Sequence, residues 1–336
     1  MVTIKDISKA CGVSPSTVSK VLNGYTDISR DTVEQVFRTA EAMGYTPNAA
    51  ARMLKTNRSN NIGVLFVDQM QSGLRHEYFS AMLNSVKDEA ESRGYDITFI
   101  SRNLGGRQMS YLDHCRYRKC DGVIIACVDF TDSAVLELVG SDIPVVTVDH
   151  VFDQRGAVLS DNVGGMEELV TYIHEQGHRS IAFIHGEMTS VTRSRLAGFF
   201  RTCEKLGVSV PEEYVRPGRY HDPDTSAKAT RELLALKKPP TCIIYPDDFS
   251  FIGGRNYLTA AGLSIPGDVS VAGYDGIYMS QVMRPALTTL QQDTDALGRR
   301  SASMVIDAIE NRRTYLPRQE LIPGRLLPGG TVKRLV

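Results

Sequence analysis

The sequence predicts a mainly α/β protein preceded by a small helical domain, and three observations lead to this fold class. The 336 residues exceed one ordinary core, so a small domain plus one or two larger ones is expected. Residues 1–45 place apolar side chains at helical spacing. From Asn61 onward, short β-branched runs alternate with helical segments, which is typical of parallel α/β sheets.

Capping residues place the first two helices. Thr3 and Asp6 form a capping box for a first helix, which Gly12 ends. Ser14 can cap a second helix with Pro15 at its first position, where a missing N–H costs nothing.

A third helix should begin after Ser29 and end at Gly44. The apolar residues of the three segments fall at helical spacings and should form one small core, barely sufficient for an independent domain. They are Ile7, Ala10, Val18, Val21, Leu22, Val33, Val36, Phe37 and Ala40.

The segment "PNAAARMLK", residues 47–55, favours helix by composition but is too short to be one alone. An isolated helix in water needs roughly 12 to 15 residues. Leu54 has only Ala50 and Ala51 as apolar neighbours at helical spacing. Contacts from outside the segment are therefore needed to fold it.

Eight runs after residue 60 are predicted as strands, in two sets of about four. They are "IGVLFVD", "YDITFIS", "DGVIIACV" and "IPVVTVDH", followed by "SIAFIHG", "TCIIYPD", "VSVAGYD" and "LTTLQ". Two such sets interleaved with helices indicate two Rossmann-like lobes. A small ligand is expected in the crevice between them, at the carboxyl ends of the strands.

The charge is close to balanced overall but unevenly distributed. The formal net charge of -1 excludes a globally basic nucleic-acid binder. Residues 1–60 hold eight basic and five acidic residues, which gives +3, so the remainder carries about -4. Any DNA-binding role should therefore be confined to part of the chain.

The N-terminus has charges where a signal peptide would have its apolar core, and no run of 18 apolar residues follows. We expect a cytoplasmic protein without membrane contact. The cysteines show no CxxC pair and indicate reduced, mostly structural thiols. They are Cys11, Cys115, Cys120, Cys127, Cys203 and Cys242.

The stretch "DISKACGVSPSTVSKVLNG" has the pattern of a helix-turn-helix. Its second helix carries polar side chains on the faces that its apolar residues leave open: Ser16, Thr17, Ser19 and Lys20. Such side chains can meet base edges and phosphates in a major groove. A three-helix packing module with a solvated polar face remains the alternative from pattern alone.

Two stretches resemble metal sites without meeting their requirements. "HEQGH", residues 174–178, matches the HExxH pattern of zinc proteases, but Gly177 should end the helix before the second histidine. "HCRYRKC", residues 114–120, lacks a fourth ligand at usable spacing. We expect no metal site and no cofactor.

Several motifs together resemble the LacI/GalR family of bacterial transcription regulators. "TIKDISKACGVSPSTVSKVLNG" is followed by "GYTPNAAARMLK" and "NIGVLFVD". Further on, "HRSIAFIHG", "RSRLAGFF", "GLSIPGDVSVAGYDG" and "ALTTLQQD" keep the family's order. The resemblance covers essentially the whole chain, and no single motif carries it.

The resemblance implies a homodimer whose recognition helices enter successive major grooves of a pseudo-palindromic operator. Base-reading positions are then Pro15, Ser16 and Lys20, with Thr17 beside them. Lys20 is the best candidate for guanine acceptors, whereas Pro15 offers no backbone donor.

The family's hinge helix corresponds to residues 48–55, and Leu54 matches the leucine that inserts into the central minor groove. The other hinge residues expected at the minor groove are Asn48, Ala51, Arg52 and Lys55.

For the effector, the resemblance and the strand ends select seven residues: Phe79, Asp149, Asp161, Arg195, Asp247, Phe249 and Asp275. Arg195 and Asp275 match positions that commonly hold sugar or nucleoside hydroxyls. The phenylalanines could stack on a ring. Aspartates after strands also often simply cap the next helix, so each assignment has a structural alternative.

Departures from the family pattern leave the effector's identity open. "YPDD" places Asp247 beside Asp248, which aligns with the family aspartate. "YDG" replaces the frequent "YDD", and His76 and Tyr78 add polar groups to the first ligand loop.

The domains expected are residues 1–46 for DNA binding, 47–60 for the hinge and linker, and 61–336 for the effector core. The N-lobe should comprise about 61–160 and 291–322, and the C-lobe about 161–290 and 323–336. The C-terminus "PGGTVKRLV" carries no heptad extension, so a dimer is expected rather than a tetramer.

Three classes of protein compete for this pattern. An enzyme would need a nucleophile–base pair or a metal cluster, and neither stands at usable spacing. A periplasmic sugar-binding protein would carry a signal peptide in place of residues 1–55. We adopt a ligand-gated repressor, in which a sugar or related metabolite shifts the N-lobes and hence operator affinity. Induction and co-repression are both compatible with the sequence.

Overall fold

The chain divides into two compact units between Ser59 and Asn60. The computed structural model describes residues 2–22, 25–46, 58–67 and 72–335. The first unit contains three helices: α1 (Ile4–Cys11), α2 (Pro15–Leu22) and α3 (Arg30–Ala42).

The predicted caps of these three helices are confirmed. Thr3 and Asp6 exchange the two bonds of a capping box, and Gly12 follows α1 in the left-handed conformation. Ser14 and Ser29 each accept a hydrogen bond from the backbone N–H three residues further on. Local sequence therefore sets where each helix begins.

The small core of the first unit differs from its prediction at three positions. Its buried members are Ile7, Cys11, Val18, Val21, Val36 and Ala40. Ala10 lies on the exposed face of α1, and the Phe37 side chain is 49 % exposed because it projects from α3 beside the buried stripe. Cys11, which was not predicted as core, is buried instead.

The second unit contains two six-stranded sheets. The first has the order β13-β7-β6-β5-β1-β2, and the second β14-β12-β11-β10-β8-β9. All neighbouring strands are parallel except β14, which is antiparallel to β12. The strands of the first sheet are β1 (Asn61–Phe66), β2 (Asp96–Ile100), β5 (Gly122–Ala126), β6 (Val145–Val148), β7 (Gly156–Ser160) and β13 (Gln319–Ile322). Those of the second sheet are β8 (Ile181–His185), β9 (Val215–Pro217), β10 (Cys242–Ile244), β11 (Ser270–Asp275), β12 (Thr288–Gln291) and β14 (Arg325–Leu327). A hairpin joins β3 (Asn103–Leu104) to β4 (Arg107–Gln108).

Helices cover these sheets. They are α4 (Glu77–Ser92), α5 (Tyr111–Tyr117), α6 (Ser133–Val139), α7 (Asn162–Glu175), α8 (Ser190–Lys205), α9 (Pro223–Leu234), α10 (Phe251–Ala260), α11 (Tyr278–Val282) and α12 (Thr294–Glu310). We call the first sheet with α4–α6 and α12 the N-lobe, and the second sheet with α7–α10 the C-lobe. α12 packs closely on α4, because a Cβ at Gly298 would lie 2.3 Å from the carbonyl oxygen of Met82.

All eight predicted runs contain a strand, and the predicted two-lobed α/β fold is confirmed. Six further strands were not predicted: β3, β4, β7, β9, β13 and β14. Most are short, and β13 alternates exposed with half-buried residues at the edge of its sheet. Edge strands of this kind lack the continuous apolar run that marks a buried parallel strand.

The chain passes between the two sheets three times. It leaves the first sheet after β7, returns from β12 to α12, and passes again from β13 to β14. None of the helices in residues 2–22, 25–46, 58–67 and 72–335 combines the length and apolarity needed to span a bilayer.

Candidate functional site

The polar face of α2 is the candidate DNA-reading surface. Pro15 and Ser16 are exposed at its N-terminus. The Ser14 hydroxyl lies 2.6 Å from the hydroxyl of Ser16 and 2.8 Å from that of Thr17. Three hydroxyl groups are therefore collected at the start of α2, where a side chain or a backbone N–H can meet a phosphate or a base edge.

Lys20 lies in the last turn of α2 and forms an ion pair with Asp27, with 2.5 Å between Nζ and Oδ2. Both side chains stay about half exposed, at 45 % and 55 %. The predicted guanine-reading residue thus has a carboxylate partner within its own unit.

The expected minor-groove residues lie outside the described part of the chain. They are Asn48, Ala51, Arg52, Leu54 and Lys55. Their role stays a prediction from the sequence.

A cavity of about 1020 Å³, counting its part open to solvent, lies between the two lobes. The N-lobe contributes His76, Tyr78, Phe79, Cys127, Val128, Phe130, Val148 and Asp149. The C-lobe and the segment after β12 contribute Glu187, Thr189, Ser190, Val191, Arg195, Tyr220, His221, Asp247, Asp275 and Gln292.

Arg195 is the buried cation of this cavity, with only 3 % of the residue exposed. Its guanidinium donates to Asn162 Oδ1 and to the carbonyl oxygen of Pro246, both at 2.8 Å. It also stacks over the Tyr274 ring, 3.6 Å from the centroid, and lies 3.8 Å from Asp275 Oδ1. Burial alone would lower the pKa of Arg195. The surrounding tyrosines and carboxylates outweigh this effect and raise the pKa above its ordinary value, so the guanidinium is a fixed charge.

Asp275 ends β11 beside Arg195, and its carboxylate accepts a 2.7 Å hydrogen bond from Gln292 Nε2. Its backbone has φ +103, and Asp149 after β6 has φ +57, which non-glycine residues seldom adopt. Such backbone strain clusters at functional sites. Burial raises the pKa of both carboxyls, and for Asp275 the neighbouring Asp247 and Asp248 add to this.

Three rings stack across the cavity. His76, which precedes α4 in the N-lobe, lies 4.1 Å from the His221 ring of the C-lobe, with 19° between the planes. Phe249 stacks on the other face of His221 at 3.9 Å. Phe79 meets His76 edge-on at 4.7 Å. Aromatic side chains of both lobes therefore meet at the cavity.

Comparison with known proteins assigns the chain to a family. The sequence model of "Bacterial regulatory proteins, lacI family" matches residues 3–48, and that of a periplasmic binding protein-like domain matches residues 170–332. The HTH-type transcriptional repressor PurR of Proteus mirabilis is 31% identical over 319 residues, covering 93% of this chain and 92% of that protein. The PurR repressor of Photorhabdus laumondii is 32% identical over a similar span.

The chain belongs to the LacI family of bacterial regulatory proteins. It is a DNA-binding transcriptional repressor with a ligand-binding core, and not an enzyme.

Solved structures of transcription regulators share its architecture. A lac repressor dimer bound to operator and the anti-inducer ONPF has a TM-score of 0.76, with 25% identity and 99% of both chains covered. A complex of the regulator CelR with cellobiose has a TM-score of 0.73 and 24% identity, covering 98% of this chain and all of the other.

Of the seven residues predicted for the effector of this LacI-family core, five line the cavity: Phe79, Asp149, Arg195, Asp247 and Asp275. The other two, Asp161 and Phe249, lie outside the lining, and their role stays a prediction. The Asp161 carboxylate caps α7 and accepts a hydrogen bond from the N–H of Gly164 at 2.8 Å. Phe249 stacks on the His221 ring, which does line the cavity.

Asp247 and Asp248 have different surroundings despite being adjacent. Asp247 lines the cavity, and its carboxylate also accepts hydrogen bonds from the N–H of His221 and from Ser250. Asp248 is fully buried and accepts from Thr289 Oγ1 at 2.7 Å and from the N–H of Ile277. Burial raises the pKa of Asp248 to about 7.

Sequence reasoning missed several lining residues, including Phe130, Glu187, Tyr220, His221 and Gln292. Glu187 and Tyr220 lie in loops that follow C-lobe strands, which is a usable signal. Their pairing was not predictable, because the N–H of Tyr220 reaches Glu187 Oε2 across 33 residues of chain.

The helix that contains the start of the zinc-like stretch ends before the second histidine, as predicted. α7 ends at Glu175, and His178 leaves the helix to contact Thr241 Oγ1 at 2.8 Å and the carbonyl oxygen of Lys333 at 3.1 Å. In the described ranges, three or more metal-binding side chains never come together at one place. The six cysteines, all within the described ranges, form no disulfide, and five of them are buried.

Proposed function

We propose that this LacI-family repressor binds a pseudo-palindromic operator as a homodimer in the cytoplasm, and that a neutral polyhydroxylated ring, a sugar or related metabolite, controls its affinity. The observation that carries the proposal is the buried Arg195–Asp275 pair facing an aromatic-lined cavity between the lobes.

The charges of the lining support a neutral, donor-rich ligand. Among the residues that the structure describes, four carboxyl groups line the cavity, those of Asp149, Glu187, Asp247 and Asp275, against one guanidinium, that of Arg195. A carboxylate accepts hydrogen bonds from hydroxyls but repels a phosphate or another carboxylate. A phosphorylated sugar should therefore bind more weakly than its parent sugar.

The aromatic side chains that line the cavity support the same ligand class. The apolar face of a sugar ring can stack on an aromatic side chain while its rim hydroxyls meet charged acceptors. Among family structures, the CelR complex holds cellobiose, and a regulator from Enterococcus faecium holds ribose.

Dimeric operator binding rests on α2 and on the family. The lac repressor was solved as a dimer on its operator. Two copies of α2 related by a two-fold axis would reach successive major grooves, with Pro15, Ser16, Thr17 and Lys20 facing the DNA. The hinge residues Asn48, Ala51, Arg52, Leu54 and Lys55 are proposed to fold between the two half-sites, with Leu54 inserted in the minor groove.

A thermal-shift screen tests the effector. Sugars, nucleosides and phosphorylated sugars would be compared against wild type, Asp275→Asn and the exposed control Asp142→Asn. We expect a neutral hit whose affinity falls roughly 10- to 150-fold in Asp275→Asn, since a hydrogen bond to a charged group is lost. The control should bind normally. If every hit binds Asp275→Asn as well as wild type, the cavity assignment is wrong.

A second measurement tests the hinge. Leu54→Ala should weaken specific operator binding while ligand affinity and melting temperature in the absence of DNA stay unchanged. A drop in melting temperature without DNA would instead make Leu54 an ordinary core residue.

A further inference from the structure

The Lys20–Asp27 ion pair joins the end of α2 to the turn before α3. Asp27 lies two residues before Ser29, the N-cap of α3. The N–H of Tyr25 donates to the carbonyl oxygen of Lys20 at 3.1 Å, which holds Tyr25 beside the last turn of α2. The carboxylate is thus presented beside the residue that the proposed function assigns to the major groove.

The pair is a hydrogen-bonded contact on a solvated surface. The hydrogen bond to Asp27 raises the pKa of Lys20, and the same bond lowers the pKa of Asp27. Both groups are therefore charged at neutral pH. Tyr25 is the other titratable neighbour that acts on Lys20, and its effect is smaller.

A carboxylate at this position opposes unspecific DNA binding. A lone lysine on the reading face would neutralise a phosphate of any sequence and release a counterion. A lysine already neutralised by a carboxylate gains little from a phosphate, and the carboxylate itself is repelled by the DNA backbone. The pair therefore suppresses the contact that carries no sequence information.

The Lys20–Asp27 ion pair is complementary to the hydrogen-bonding groups of a G·C base pair. In the major groove, a G·C pair presents the acceptors N7 and O6 of guanine beside the N4 amino donor of cytosine. O6 and N4 are hydrogen-bonded to each other, so they lie at an ordinary hydrogen-bond separation of roughly 2.7 to 3.2 Å. Nζ and Oδ2 are 2.5 Å apart, so an ammonium and a carboxylate face an acceptor and a donor at nearly the same spacing.

We propose that Asp27 is a specificity-determining residue, which acts with Lys20 as one unit that reads a G·C pair in each half-site. Lys20 donates to guanine, and Asp27 accepts from the cytosine amino group. This inference rests on the proposed DNA-reading role of α2, and the experiment separates the two.

The experiment measures base preference with the full-length protein. A duplex selected by wild type from a randomised pool is the specific probe, and a shuffled duplex of equal length is the unspecific one. Dissociation constants for each single base-pair change are measured at several salt concentrations. The proteins are wild type, Asp27→Asn, Lys20→Ala, the double variant, and Glu41→Gln as a control that removes the same charge from the exposed end of α3.

In Lys20→Ala we expect one G·C preference per half-site to fall roughly 5- to 150-fold, the usual cost of a lost base contact. Asp27→Asn should lose much of the same preference at the same position. It should also bind the shuffled duplex about fivefold more tightly per protomer, with a salt slope steeper by about one, because Lys20 is now available to a phosphate. The double variant should be no worse than Lys20→Ala, and Glu41→Gln should keep wild-type preferences.

Each contrary result has one meaning. If Lys20→Ala changes no base preference, the assigned reading role of Lys20 fails, and with it this inference. If Lys20→Ala loses a preference that Asp27→Asn keeps, the inference is overturned while the proposed function stands. Should Asp27→Asn unfold the first unit, Asp27→Glu must keep the G·C preference, and its loss in a folded Asp27→Glu protein overturns the inference.

Discussion

The helical unit and the α/β core use polar side chains in opposite ways. In the helical unit, the candidate reading groups are exposed on a helix that rests on six buried side chains. In the core, the candidate ligand groups are buried among ionisable neighbours, with Arg195 only 3 % exposed. The first arrangement suits contact with a partner outside the fold, and the stability of its unit is limited by the small core. The second suits a ligand held within the fold, and the stability of its unit is limited by the cost of buried charge.

The largest expected effect tests the buried charge. Arg195→Met removes the donor to Asn162 and to the carbonyl oxygen of Pro246 and leaves Asp275 unbalanced. We expect the free energy of unfolding of the core to fall by about 3–5 kcal/mol, as for other broken buried pairs. Urea denaturation measures it. Arg193→Met, on the exposed face of the same helix, should cost much less, and equal losses would contradict the role of buried charge.

A comparable loss is expected in the thin core. Ile7 is fully buried there, and Ile7→Ala should cost about 2–5 kcal/mol. Because a unit of this size has a total stability of only about 2–7 kcal/mol, DNA binding should be lost while ligand affinity survives. Phe37→Ala, at a half-exposed position, should cost far less. A core melting transition that shifts with Ile7→Ala would show that the two units are not energetically separate.

A pH titration sharpens the contrast. Asp248 has a pKa of about 7 in the folded core against 3.8 for an exposed carboxyl, so the folded state favours the protonated form. The stabilisation by the protonated Asp248 carboxyl is present in full below pH 4 and is lost as pH rises to 7, so the free energy of unfolding falls in that window. Asp248→Asn mimics the neutral acid and should remove this pH-dependent loss of stability. For a pKa shift of this size, the loss is a few kcal/mol. Parallel stability–pH curves for the two proteins would refute the assignment.

The smallest effect concerns a cap of the first unit. Thr3→Ala removes one half of the capping box on α1 and should cost about 0.5–2 kcal/mol. Thr3→Ser should retain most of the stability. Helicity of the first unit, followed by circular dichroism during heating, checks both variants. Since the reading groups lie on α2, base preferences should be unchanged in either.

Local signals were sufficient for the elements and for their caps. Ser14, Ser29 and the box of Thr3 with Asp6 satisfy backbone groups within three residues, so sequence contains the whole interaction. Buried parallel strands also have their own apolar pattern. Edge strands such as β13 do not, because neighbours distant in the chain determine their pairing.

Strand ends predicted only part of the cavity lining, and Phe79 and Arg195, which lie on α4 and α8, did not follow from strand ends. Asp149 and Asp275 follow the strand-end rule. Asp161 obeys it equally and is a helix cap, since both uses place an aspartate after a strand. His221 comes from a loop and reaches the site because Asp247 holds its backbone N–H, a contact between residues 26 apart. Such contacts are not encoded in local spacing.

The three passages of the chain between the sheets have a consequence for biosynthesis. β13, at residues 319–322, completes a sheet whose other five strands end at Ser160. At a translation rate of about 5–20 residues per second, the ribosome needs on the order of ten seconds or more to supply that edge strand. During this interval β7 presents an unpaired edge to solvent. Termination of translation near residue 318 would leave the first sheet without its edge strand β13. We therefore expect chaperones and proteases to bind the shortened products.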